Sequence, residues 1–451
     1  MITVPAYQGK KVGVFGLARS GLATVHSLVA SGAEVFAWDD NESARLQVES
    51  CAANLYELDL SQLDALVLAP GVPLTYPQPH RLVDSAKNAK VALISDLDIF
   101  EAARESLPDH KIIGITGTNG KSTTTALIGH ILAECGIPTA VGGNIGTGVM
   151  ALDALPAGGV YVFELSSFQL DLTKQLSCDI GVLLNMSPDH LDRHGDMATY
   201  VAAKRRLFDM QNPDCVAVVG VDDDICRNIA DSLPFSIQVA GNHEVDAGVF
   251  VFNGEVKSVD EELQHHGSIS DIKSLQGVHN WQNAAAAFAA VRAVGLESAE
   301  IITAMSTFPG LAHRQEIVSN VSDFLVVNDS KATNVDSAKR ALETFDNIRW
   351  IAGGKAKDKD FTSLSRSLRS VRRAYLMGEH AQLLSDALPA SLPQTSFATM
   401  AEAVNGALND AEAGDTILLS PACTAFDQFD NFEQRGDAFK AAVAAYTGAS
   451  S

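Results

Sequence analysis

The sequence predicts an α/β protein of three domains, on three observations. A chain of 451 residues exceeds one ordinary domain and fits about three. Strand-like and helix-like segments alternate along nearly all of it, the pattern of parallel sheets covered by helices. A glycine-rich loop, "GITGTNGKSTTT" (Gly114–Thr125), joins a β-branched strand to a helix. Shifts in pattern place the domains at 1–106, 107–311 and 312–451.

In the first domain "KKVGVFG" (Lys10–Gly16) reads as a buried strand and "SGLATVHSLVASG" as the helix after it. "AEVFAWDD" (Ala33–Asp40) and "DALVLAP" (Asp64–Pro70) supply two more strands, giving a Rossmann-like unit. The turn "GLARSG" matches G-x-G-x-x-G except at Ala18. The missing glycine is the one that lets a backbone approach a pyrophosphate closely. A nicotinamide site, a plain strand–helix turn and a site for another nucleotide diphosphate all stay open. Asp39, Asp40 and Asn41 end the second strand, where an acidic residue meets a ribose, and "APGVP" (Ala69–Pro73) could line the same crevice. "ESLPDHK" (Glu105–Lys111) reads as a linker.

The second domain opens with "KIIGITG" (Lys111–Gly117), a strand running into the loop, and "KSTTTALIGHILAECG", a helix ending at Gly136. The strict phosphate-loop pattern G-x-x-x-x-G-K-[ST] wants glycine at 115, where Ile115 stands. The strand–loop–helix context nevertheless confirms a phosphate loop, with Ile115 as the last strand residue. Gly117, Gly120, Lys121 and Ser122 supply what the chemistry needs: backbone N–H groups, a cation and a hydroxyl for Mg²⁺. "VYVFELSS" and "DIGVLLNM" are further strands. They leave Glu164, and then Asp189, His190 and Asp192 of "NMSPDHLDRH", at strand ends, where ligands gather. Glu164 is a candidate metal ligand, since an unpaired charge on an apolar strand is costly. His190 is a candidate ligand or positioning residue. "ATYVAAKRRLFDM" is helical, and its Lys204-Arg205-Arg206 reads from composition as a solvated basic face. Asn253-Gly254 marks a hairpin, and "HNWQNAAAAFAAVRAVG" a long helix. The third domain, predicted to be Rossmann-like as well, has strands at "DFLVVNDS", "NIRWIAGG", "RRAYLMG" and "DTILLSPA".

Composition narrows the function. With 55 acidic against 33 basic residues the formal charge is −22, which argues against nucleic-acid or anionic-membrane partners. Six cysteines form no C-x-x-C pair, so neither a zinc site nor a disulfide framework is expected. No apolar run reaches membrane-spanning length and "MITVPAYQGKK" lacks a signal-peptide core. A cytoplasmic monomer without membrane insertion is the expectation.

"GITGTNGKST", "GGNIG", "ELSSFQL", "NMSPDHLDRH", "YVAAKRRLF", "GVHNWQNAAAA" and "GLAHRQE" occur in the order found in the Mur ligases, and the chain resembles that family over its full length. These are ATP-dependent amino-acid-adding enzymes of peptidoglycan synthesis, whose loop also reads T-G-T-N-G-K-[ST]. "NDSKATN" and "LLSPACTAFDQFDNFEQRG" look like the branch that adds D-glutamate to UDP-N-acetylmuramoyl-L-alanine. The alternative is a sister ligase adding another amino acid. Folylpolyglutamate synthetase shares the ATP domain but lacks the first one. A non-catalytic relative would have lost Glu164, His190 or Lys204, and all three are present.

The resemblance implies roles residue by residue. Gly117, Thr118, Asn119, Gly120, Lys121, Ser122 and Thr123 would hold ATP phosphates, with Asn280 and Asn283 at adenine or ribose, Arg314 at the γ-phosphate and Asp329 at a further nucleotide position. Ser122, Glu164, His190 and Lys204 would serve two Mg²⁺ ions, Lys204 after carbamylation by CO₂, which turns a cation into an oxygen ligand. Lys121, Lys204, His190 and Glu164 would be catalytic. The UDP-substrate would lie on Leu17, Ala18, Arg19, Ser20, Asp39, Asp40, Asn41, Gly71 and Asn144. D-Glutamate would meet Thr333, Lys331, Lys357, Thr424 and Phe432. Two departures leave alternatives open: Ala425 stands where the family has serine, with Thr424 its neighbour, and "GGKAKDKDF" offers Lys355 as well as Lys357.

Overall fold

A computed structural model describes residues 1–321, 324–357 and 360–448. The chain forms two compact units: 1–271 with 278–308, and 272–277 with 309–451. The first unit carries two sheets and the second carries one.

The first sheet contains β1 (Lys11–Phe15), β2 (Glu34–Trp38), β3 (Ala65–Leu68) and β4 (Ala92–Ile94) in the order β2-β1-β3-β4, all parallel. The short β4 escapes the sequence reading, which finds three strands. Helix Arg19–Ala30 follows β1. Gly21 lets it lie close to the strand turn, since a Cβ there would fall 1.8 Å from the Gly16 carbonyl oxygen.

The second sheet comprises β5 (His110–Thr116), β6 (Thr139–Gly143), β7 (Gly159–Glu164), β8 (Ile180–Leu183), β9 (Val216–Gly220), β10 (Ile237–Gly241), β11 (Gly248–Phe252), β12 (Glu255–Val259) and β13 (Leu263–Ser268). Its order is β13-β12-β11-β10-β9-β8-β5-β7-β6. Pairing is parallel from β6 to β11 and antiparallel at the β11–β12–β13 edge. Asn253 and Gly254, at φ +52° and +77°, close the predicted hairpin. Helix Val278–Val294 is buried on all sides through Ala284–Ala290. A run of small side chains suits such a central position.

Two sequence expectations differ from the structure. β5 ends at Thr116, one residue beyond Ile115, because Thr116 still pairs with Leu183 of β8. The supposed linker Glu105–Lys111 is structured: a 3₁₀ turn covers Arg104–Ser106 and β5 begins at His110. Helix Asp96–Ala103 joins the two sheets into one unit. Its Phe100 packs edge-on against Tyr161 and Phe163 of β7, at 5.2 and 5.0 Å, and its Asp98 accepts from the Lys174 and Gln175 amides, each at 2.7 Å.

The second unit holds β14 (Glu316–Val321), β15 (Phe324–Asn328), β16 (Ile348–Gly353), β17 (Val371–Met377), β18 (Gln394–Phe397) and β19 (Thr416–Leu419), ordered β14-β15-β19-β16-β17-β18. Only the β14–β15 pair is antiparallel among them. Separate apolar cores cover the two faces. Val335, Ala338 and Leu342 of one helix belong to the first, and Val404, Phe439 and Val443 of two others to the second. That is the two-sided burial of a Rossmann-like domain. Among the described residues no helix is long and apolar enough to cross a membrane.

Candidate active site

The phosphate loop hangs between β5 and helix Lys121–Glu134. Gly117 (φ +146°) and Gly120 (φ +83°) occupy conformations that favour glycine. A side chain at Gly120 would strike Asn283, whose Oδ1 lies 2.2 Å from where a Cβ would sit. Asn283 in turn donates to Asn280 Oδ1 at 3.1 Å, so both predicted nucleoside residues stand beside the loop. The loop is braced from β8's far end. Thr118 N donates to Asn185 O (2.8 Å) and Asn119 N to Asn185 Oδ1 (2.9 Å), while Asn185 Nδ2 returns a bond to Asn119 O (3.1 Å). Asn185 is absent from the sequence-predicted set. Its position just past an apolar strand was the available signal.

Lys121 Nζ donates to the Gly117 and Thr118 carbonyls, both at 2.8 Å. Lys204 Nζ reaches the same Gly117 carbonyl at 2.8 Å and Thr116 Oγ1 at 3.3 Å, over the Tyr200 ring at 4.9 Å. Lys204 is 1% exposed. The composition-based reading of a solvated basic face is therefore wrong for it: helix Met197–Asp209 turns Tyr200, Ala203, Lys204, Leu207 and Phe208 inward. Burial, reinforced by Lys121, pushes its pKa well below the usual lysine range, while Asp189 and Glu164 pull the other way.

Glu164 ends β7 and is 3% exposed. Its Oε1 accepts from Asn144 Nδ2 at 2.7 Å, and its Oε2 is buried with no partner. An orphaned anionic oxygen in such a place is costly unless a cation meets it. His190, on the left-handed residue before helix Leu191–His194, is half-exposed. Desolvation lowers its pKa, helped by Lys121 and Lys204 and opposed by Asp189, which favours the neutral ring that binds metals. Among the described residues no three His, Cys, Asp or Glu side chains form a metal cluster. Any cation here would need oxygen donors besides these carboxylates. Ser122 lies in the first turn of helix Lys121–Glu134, and Lys204, on helix Met197–Asp209, reaches the loop at the Gly117 carbonyl.

The predicted UDP-substrate residues gather at the ends of β1, β2 and β3. Asp39 Oδ2 accepts from Leu17 N (2.6 Å) and Oδ1 from Asn41 N (2.8 Å), so this carboxylate fixes the turn's shape. Ala18 caps helix Arg19–Ala30, and Arg19 Nη2 donates to Asn144 O at 3.2 Å. Gly148 lies against the Ser20 backbone, which brings the "GGNIG" stretch to the same end. Asp40 Oδ1 accepts from Tyr56 at 2.8 Å. Gly71 has open space where a Cβ would be.

Arg314, Asp329, Lys331, Thr333, Lys357, Thr424 and Phe432 all belong to the second unit. Asp329 is buried, accepting from Ser420 Oγ (2.8 Å) and Gln315 N (3.2 Å), and burial raises its pKa to about 7. Lys331 Nζ lies 3.8 Å from the centre of the Phe432 ring. Thr424 Oγ1 donates to Lys355 O at 2.9 Å, which commits its proton to the backbone. Lys355 and Lys357 are both exposed. Arg435 was missed by the sequence reading. Fully buried, it donates to Ser330 Oγ (3.0 Å), Ser330 O (2.8 Å) and Cys423 O (3.0 Å), tying the Lys331 and Thr424 segments together.

Family models described as "Mur ligase middle domain" and "Mur ligase, glutamate ligase domain" match residues 115–291 and 313–423. The UDP-N-acetylmuramoylalanine--D-glutamate ligase of Phenylobacterium zucineum (strain HLK1) is 46% identical over 461 aligned residues, covering 98% of this chain and 98% of that protein. The chain belongs to the Mur ligase family. The enzyme of the same name from Rhizobium meliloti (strain 1021) is 44% identical and covers 100% of this chain and 99% of its own length. Among solved structures, UDP-N-acetylmuramate-alanine ligase MurC from Thermotoga maritima shares the fold at a TM-score of 0.60 and 17% identity, covering 98% of this chain and 100% of that one. The three-domain α/β architecture expected from the sequence is the Mur ligase architecture.

Proposed function

We infer that this Mur ligase joins D-glutamate to UDP-N-acetylmuramoyl-L-alanine at the expense of ATP, in peptidoglycan precursor synthesis. The observation that carries the chemistry is the buried Lys204 amine on the Gly117 carbonyl of the phosphate loop, with Glu164, whose Oε2 has no partner, ending the strand that pairs beside the loop's own strand at Ile115. The full-length relatives carry the choice of amino acid.

The reaction runs in two balanced steps. A carboxylate oxygen of the muramoyl-alanine attacks the γ-phosphorus, the bond to the β-phosphate oxygen breaks, and ADP leaves. The D-glutamate amine then attacks the acyl carbon, loses a proton and expels phosphate, leaving the amide. Lys121 exchanges the Gly117 and Thr118 carbonyls for phosphate oxygens, and the loop N–H groups cradle the remaining charge. Asn280 and Asn283 hold the nucleoside, with Arg314 assigned to the γ-phosphate and Asp329 to a further nucleotide position. Ser122, Glu164, His190 and Lys204 would hold two Mg²⁺ ions, which supply charge neutralisation at the transferring phosphoryl group. Lys204 takes its place as a carbamate, formed when its neutral amine adds CO₂ and releases a proton. Lys331, Thr333, Lys357 or Lys355, Thr424 and Phe432 receive D-glutamate. Domains at 1–106, 107–311 and 312–451 take the UDP-substrate, ATP and amino acid in turn, in a cytoplasmic monomer.

Phosphate release from ATP with UDP-N-acetylmuramoyl-L-alanine and a panel of amino acids tests this. D-Glutamate alone should support turnover, and activity with L-alanine or L-lysine in its stead would refute the assignment. Lys204→Ala should be nearly inactive and partly rescued by a short carboxylic acid. An active variant indifferent to CO₂ removes the carbamate.

A further inference from the structure

Arg193 has no part in the chemistry described so far, yet it joins two segments that do. It lies on helix Leu191–His194, directly after His190. Its Nη2 donates to the Val72 carbonyl at 2.7 Å, 121 residues away in sequence, in the "APGVP" loop after β3 that also contains Gly71. Its guanidinium sits 5.3 Å from the centre of the Phe168 ring. Phe168 meets His190 edge-on at 4.9 Å and stacks on His194 at 5.4 Å, and His194 Nε2 pairs with Ser167 Oγ at 2.9 Å. The adjoining Gly195 lies against the Tyr76 ring of the same β3 loop. The candidate metal residue and the candidate substrate loop thus share one strap of guanidinium and ring. The strap is incompletely satisfied, because Arg193 Nε and Nη1 are buried without a hydrogen-bond partner. Enclosed donors of this kind gain when an acceptor oxygen reaches them.

We propose that Arg193 is a positioning residue that couples seating of the anionic UDP-substrate on the β3 loop to the placement of His190 for its metal. The inference rests on the function assigned above. Loop and helix move as a pair: an oxygen of the substrate beside the loop draws on the free Arg193 nitrogens, and the guanidinium carries that restraint through Phe168 to the His190 ring. Linkage makes the effect reciprocal, so Mg²⁺ tightens substrate and substrate tightens Mg²⁺ by one factor.

The test is calorimetric titration of UDP-N-acetylmuramoyl-L-alanine into the full chain with a non-hydrolysable ATP analogue, with and without Mg²⁺. In the wild type Mg²⁺ should tighten substrate by roughly five-fold or more. In Arg193→Gln that factor should fall toward one, with Arg193→Lys keeping part of it. Phe168→Leu leaves the Val72 bond intact and should also lower the factor, so it carries the test if Arg193→Gln misfolds. An unchanged factor in these variants, or none in the wild type, overturns the coupling. A wild type that binds no UDP-substrate under any condition would instead overturn the assigned function.

Discussion

Replacing Asp96 by Asn removes a charge that the fold holds at a cost. Asp96 is the first residue of the helix that joins the two sheets of the first unit. It is buried, and its Oδ1 has no partner. Burial raises its pKa from 3.8 to about 6, with the Leu97 and Asp96 backbone N–H groups opposing and the charge of Asp98 adding to the rise. A carboxyl with a higher pKa folded than unfolded binds its proton more tightly in the folded state. Its penalty is therefore absent below pH 3.8, grows as pH rises through the window up to about 6, and stays constant above it. The full penalty is about 3 kcal/mol. Asn keeps the shape without the charge, so Asp96→Asn should stabilise the first unit by up to that amount at pH 7.5. At roughly 2–4 °C per kcal/mol for a large domain, the melting midpoint should rise by about 6–12 °C. By pH 4.5 the gain should shrink to about a third of its full size. Calorimetric melts at the two pH values decide the matter. A variant no more stable than its parent at pH 7.5, or a gain that ignores pH, would refute the reasoning.

Gly120→Ala must tolerate a left-handed backbone, costing about 1–2 kcal/mol, and displace Asn283 from Asn280, costing about 1 kcal/mol more. ATP affinity should drop roughly 30- to 150-fold by titration while UDP-substrate affinity holds. Asp39→Ala strips the Leu17 and Asn41 amides of their acceptor, at about 1.5–3 kcal/mol per charged hydrogen bond. The UDP-substrate dissociation constant should rise at least about ten-fold with ATP binding unchanged, and parity with wild type would show that the turn holds its shape without the carboxylate. Gly436→Ala would put a Cβ 2.1 Å from His313 Nδ1, which Asn328 Nδ2 contacts at 3.0 Å. Overpacking of that kind costs about 1–3 kcal/mol, so denaturant melts should show a weakened second unit and an unchanged first.

The phosphate loop was legible because its information is local: a β-branched strand, glycines at fixed offsets, a lysine and a hydroxyl. Asn185 was not, because its meaning lies in Asn119, 66 residues earlier in the chain. Lys204 shows how composition misleads where periodicity does not. Of three consecutive cations, Arg205 pairs with Asp209 at the surface and Arg206 grips the Leu170 and Thr173 carbonyls, while Lys204 alone falls in the apolar stripe that Tyr200, Ala203, Leu207 and Phe208 define. That stripe follows the spacing of a buried helix face and could have been counted from the sequence. The edge strands β4 and β18 are too short to announce themselves, and β14 is recognisable only through its partner β15. Arg435 reads as one more charge near a helix start, and only the loops meeting around it reveal a fastening.

The Gly117 carbonyl, shared by the amines of Lys121 and Lys204, has a consequence for selectivity. Lys121, the loop's principal cation, is engaged by two backbone oxygens. A stray inorganic anion would have to win Lys121 away with a single ionic contact. On the function proposed, a triphosphate would make that exchange through several oxygens at once, with its nucleoside beside Asn280 and Asn283. On that reading the loop would screen its visitors by valency before any chemistry begins.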